Sequence, residues 1–140
     1  MRVIGSEVGR LIVPYSAEEV RPESGFDMAE FVRSAGERYG FVVRPNLAEL
    51  KGDYSAIEFK TGAILKGDRK ISITNLAVTN AGLAIDATTT EDAEIVYEDI
   101  FDWALGAFGL RKPQTETIRY YLSSVIVEFD TAFEAAIPAF

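Results

Sequence analysis

Acidic side chains crowd one short stretch of this chain. Glu94, Glu98 and Asp102 recur at every fourth position, Glu91 and Asp99 stand beside them, and no Lys or Arg falls between Glu91 and Leu110. Like charges four apart cost an isolated helix roughly 0.2–0.5 kcal/mol per pair. Only acids in the first turn gain from the helix dipole, so Glu98, Asp99 and Asp102 have no local compensation. Two chemistries fit the row Glu94, Glu98, Asp102: a docking strip for a basic partner, or a weak site for a hard cation. The competing reading is a solvated helix face neutralised by an Arg or Lys from elsewhere in the fold.

Other groups able to do chemistry are few in kind. The chain has no His and no Cys, which removes the side chains behind most nucleophilic, proton-shuttling and transition-metal chemistry. A pair of carboxylates can serve as general acid and base when burial raises one pKa. With 22 Asp and Glu, however, plausible pairs arise by chance. Glycosidase-like chemistry also needs two carboxyls about 5–10 Å apart, which sequence spacing does not establish. Ser123 and Ser124 fall inside an expected strand, with no His to act as base and no G-x-S-x-G turn around them. They read as small polar residues of a sheet. Gly5, Gly9, Gly62, Gly67 and Gly106 form neither of the glycine-rich nucleotide loops. Arg111 and Lys112 suit the end of a helix, and with Arg119 they make only a modest basic edge. Tyr39, Tyr54, Tyr120 and Tyr121 could line a pocket, although aromatics on strands and helix stripes ordinarily belong to a core. No catalytic residue, no cofactor and no metal is implied, and the sequence points away from an enzyme.

Charge and length narrow the partners. A net charge of -8 over 140 residues repels phosphate backbones and anionic lipid surfaces unless basic residues cluster, and no such cluster is present. Nucleic acid and membrane are therefore not expected partners. No apolar run approaches the ~18–20 residues that span a bilayer, and Met1 to Gly9 does not read as a signal segment. The absence of Cys suits a reducing compartment, so a cytoplasmic location is expected. The length matches one domain, placed at residues 1–131 and followed by an apolar tail at 132–140.

The elements follow from periodicity and breakers. Arg10 to Tyr15 reads as a strand that Pro14 confines to a sheet edge or a strand end. Pro22 and Ser24-Gly25 mark a loop. From Asp27 to Tyr39, Met28, Phe31, Val32, Ala35 and Tyr39 recur at helical spacing, with Gly40 as the C-terminal cap. Phe41 to Arg44 reads as a short strand. Tyr54 to Lys66, Lys70 to Thr79 and Leu83 to Thr90 are strands joined by turns at Gly67-Asp68 and Asn80-Ala81-Gly82. The apolar parity changes between Ile73 and Leu76, which predicts a bulge near Thr74-Asn75. A Thr of Thr88 to Thr90 caps a second helix running to Phe108, with a wide stripe centred on Val96, Ile100 and Trp103. Thr115 to Asp130 reads as a long strand that is apolar on both faces.

Together these predict an α+β fold: an antiparallel sheet of about five to six strands with two helices packed mainly on one face, in the order β-α-β-β-β-β-α-β. Two helices cover one sheet face, so the other apolar face of the last strand needs a cover of its own. The expected function is that of a non-enzymatic interaction or assembly protein. It would self-associate into a homo-oligomer, or dock a protein partner, through Tyr121, Val125, Val127 and Phe129 together with Phe133, Ile137 and Phe140 of the tail. A tail folded back as a lid is the competing structural account. The alternative function is a small-molecule-binding domain with a pocket between the curved sheet and the second helix.

Overall fold

The computed structural model describes residues 2–22, 25–46, 57–112 and 118–128. Along the chain come β1 (Arg2–Pro14), α1 (Ala17–Val20), α2 (Met28–Tyr39), β2 (Ile57–Lys66), β3 (Arg69–Thr79), β4 (Gly82–Ala87), α3 (Thr90–Phe108) and β5 (Tyr120–Glu128). The five strands form one antiparallel sheet in the order β2-β3-β4-β1-β5. The expected α+β class is the one observed. Two details differ. Phe41 to Arg44 contributes only an isolated bridge between Val43 and Lys60, and the stretch after Tyr15, expected as a loop, begins with the single helical turn α1.

Local chemistry sets the boundaries of the long elements. The Asp27 carboxylate accepts from the Glu30 N–H at the start of α2, and Gly40 closes it in the left-handed conformation, with φ of 62°. Thr89 caps α3 in the same way, accepting from the Asp92 N–H, and Gly109 ends it. These are the side-chain acceptors and Cβ-free positions that orphan helix termini require. In the first hairpin Gly67 supplies the positive φ, 63°, that the two-residue turn needs. The predicted bulge is present: Ile73 pairs with Ala87 and Asn75 with Asp86, so Thr74 is the extra residue.

Pro14 is the last residue of β1, opposite Gly82 of β4 and beyond the final β1–β5 pair, Ile12 with Tyr120. Of the two positions open to a strand proline, the strand end is therefore the one realised, and β1 lies inside the sheet. Both β4 and β5 run antiparallel to β1, so they are parallel to each other, and α3 crosses β1 to join them. At that crossing Gly9 allows a close approach. A Cβ there would lie 2.0 Å from the Thr89 carbonyl carbon, which places the N-terminus of α3 directly on β1.

Both long helices pack on one sheet face. Phe31, Val32, Ala35 and Tyr39 of α2 are buried, as are Ala93, Val96, Tyr97 and Ile100 of α3, against Leu11, Val13, Phe59, Ile73, Leu76 and Ile85 of the strands. Tilted and edge-on rings link α2, β2 and α3 through Phe31, Phe59, Tyr39, Phe41 and Trp103, with neighbouring centroids 5.0–6.4 Å apart. Such pairs add to the area they bury and fix how the two helices sit over the sheet.

Candidate functional site

The sheet face turned away from α2 and α3 is built from the alternate residues of each strand. Leu11 and Val13 point into the core, so Arg10 and Ile12 lie on this outer face. Register then places two rows across it. One runs Glu58, Ala77, Ala84, Ile12, Tyr120, and the other Lys60, Asn75, Asp86, Arg10, Leu122. At the β5 end of these rows Tyr120 and Leu122 are each 52% exposed, and Ile118, just ahead of β5, is 62% exposed. Beside them are the partly buried Ile12 and Ala84. An apolar strip with small residues at its floor therefore runs along β1 and β5.

Charge on this strip is neutralised within it. Arg10 reaches Asp86 through two parallel bonds, Nε to Oδ1 at 2.6 Å and the terminal nitrogen to Oδ2 at 2.9 Å. Asp86 is 7% exposed. Its hydrogen bond and its charge hold the Arg10 guanidinium above the ordinary arginine value, as expected of a bidentate pair.

The structure places the predicted interface residues unevenly. Tyr121 pairs with Leu11 and so lies on the helix side of the sheet. It is half-exposed, and its hydroxyl donates to Glu94 of α3 at 3.2 Å. The assignment of Tyr121 to the outer face is thus corrected: Leu11 fixes the register, and Tyr120 and Leu122 take that side. Val125 and Val127 belong to β5 through backbone pairing with Ser6 and Val3. Phe129, Phe133, Ile137 and Phe140 lie outside the described residues.

The acidic row on α3 is partly neutralised from β5's approach. Arg119 bonds Glu94 at 2.6 Å and Glu98 at 2.8 Å, with its guanidinium 4.9 Å from the Tyr97 ring centre. Asp99 is engaged by Arg38 and by the Tyr39 hydroxyl, which donates at 2.7 Å. Burial, then that hydrogen bond, pushes the Tyr39 phenol up. Asp102 stays exposed. Among the described residues no three carboxylates gather as a metal site, and no helix is long and apolar enough to cross a membrane. Ser123 is an exposed strand residue opposite Gly9.

Ala93, Val96 and Ile100 of α3 pack into the core against the sheet. A cavity lined mainly by apolar side chains opens at the end of the layer, beneath α1. Sequence reasoning missed Ile12, Tyr120 and Leu122 as the exposed group. The available signal was that Arg119 and Tyr121 share a parity, and both could reach the acids of the second helix. No protein-family model, no curated protein and no solved structure matches the chain.

Proposed function

We propose that this chain is a non-enzymatic assembly protein that pairs with a second copy of itself through the outer sheet face at β1 and β5. The observation that carries the reading is the strip of Tyr120 and Leu122, with Ile118 beside it, exposed at the edge of a sheet whose two long helices, α2 and α3, pack on the other face. Leaving large apolar side chains in water forgoes about 1.5–3 kcal/mol each relative to full burial, and an exposed apolar strip of this kind is the usual mark of an interface.

Charge favours a second copy over a basic partner. Two chains of net charge -8 repel wherever their acids meet, so self-association requires a surface without free carboxylates. Around Ile12, Tyr120 and Leu122 the neighbouring acid among the described side chains, Asp86 of β4, is already held by Arg10. A two-fold axis through the strip would then set apolar side chains against apolar side chains, the self-complementarity that an isologous dimer demands.

Light scattering on size-fractionated protein tests this with two variants. Leu122→Glu should shift a dimer to monomer, because it places a carboxylate in the strip. Leu65→Glu, on the same face but at the far edge beside Lys66 and Lys70 and 77% exposed, should leave the mass unchanged. Equal masses for the two variants would remove the strip from the interface.

A further inference from the structure

Beneath α1, where the ends of β1 and β3 meet the start of α2, lies a cavity of about 100 Å³. Its walls are apolar: Val20, Phe26, Met28, Phe31, Val78 and Leu110. Each wall is held by bonds that do not depend on filling the hole. Arg111 pins α1 three times, its backbone N–H to the Val20 carbonyl at 2.9 Å and its guanidinium to the carbonyls of Glu18 and Arg21, both at 2.8 Å. The Tyr15 N–H bonds the Ala81 carbonyl at 2.9 Å and ties the end of β1 to the β3–β4 turn. Phe26 and Phe31 are braced against Phe108 at 5.6 Å. The hole is thus built into the scaffold.

Size and lining define what fits. An apolar cavity of roughly 150 Å³ accepts benzene or xenon, so one of about 100 Å³ has room for a group no larger than a single ring or a short branched chain. The remaining lining residues are polar: Tyr15, Arg21, Thr79 and Asn80. Arg21 is exposed and has no ion pair among the described residues. Tyr15 keeps its phenolic proton, since burial and then the neighbouring Tyr97 push its pKa up to about 12, so it remains a donor at neutral pH. A cation and neutral donors around an apolar hole match an anionic head on an apolar group.

We infer that this cavity is a binding site for a small carboxylate whose apolar part is a single ring or a branched aliphatic group, with Arg21 receiving the carboxylate at the rim. Benzoate and benzene are the probes, followed by the methyl resonances of Val20, Val78 and Leu110 in the full chain. Benzoate should shift these methyls saturably, with Kd on the order of 1 mM for so small a ligand. Val78→Phe should fill the hole and abolish the response to both probes while the thermal transition persists. Arg21→Gln, an exposed change that leaves the fold alone, should weaken benzoate at least about fivefold and leave benzene unchanged. Shifts that never saturate, or that survive Val78→Phe, overturn the site. Equal benzoate affinity in Arg21→Gln overturns the carboxylate assignment.

Discussion

At the scale of single residues, the outer face depends on one ion pair. Asp86 is buried and Arg10 half-exposed, so removing the arginine strands a desolvated carboxylate without exposing it fully to water. A fully buried pair would lose about 3–5 kcal/mol. Exposure of Arg10 screens part of that, and Arg10→Leu should cost about 2 kcal/mol in urea unfolding. A cost near zero would show that Asp86 is solvated. Alkaline pH acts on other residues. Tyr15 and Tyr39 have folded pKa values raised above the ordinary tyrosine value, so the unfolded chain loses these protons first. Their stabilisation is complete below about pH 10 and falls as pH rises toward the folded value, at about 1.4 kcal/mol per pH unit for each group. Ultraviolet titration should therefore show two tyrosines ionising late, together with unfolding, and Tyr15→Phe should remove one of them. The ion pair was not legible beforehand, because Arg10 and Asp86 are 76 residues apart in the chain and meet only through strand register.

At the scale of elements, much of the architecture is written locally. Asp27 and Gly40 bracket α2, Thr89 and Gly109 bracket α3, and the parity change in β3 marks its bulge, since each depends on a residue's own backbone preference or on alternation within one strand. What alternation cannot supply is which face of β5 meets the helices. Both parities there are apolar, and only pairing of Tyr121 with Leu11 decides between them. The order of strands is likewise non-local, and it decides between the two positions open to Pro14 in favour of the strand end. α1 escaped notice because a four-residue helix has no period to read; its carbonyls are held by Arg111, some 90 residues away. Gly9 gives this scale its test. A methyl there meets the backbone of Thr89 at 2.0 Å, which no rotamer change relieves, so Gly9→Ala should lower stability by about 3 kcal/mol, the upper end for overpacking. Gly106→Ala, with open space around it and better helix propensity, should be neutral or stabilising. A thermal transition unmoved by Gly9→Ala would mean that α3 does not rest on β1 as described.

For the whole molecule, the asymmetry of the two sheet faces is the property on which the proposed pairing rests. One face is closed by α2 and α3 over a continuous core, while the other carries Tyr120 and Leu122 at its β5 edge. Excess apolar substance in the last strand was readable from composition, but its position on the outer surface required the register. Net charge works against association everywhere except on the strip neutralised by Arg10. Raising the ionic strength should then tighten self-association, since screening weakens the repulsion between two acidic chains and leaves apolar contact intact. Sedimentation equilibrium of the unaltered chain over a concentration series reaching tens of micromolar decides whether two copies pair. A reversible monomer–dimer equilibrium whose association constant rises with salt is expected; a single monomeric mass at every concentration and salt would exclude pairing through the strip.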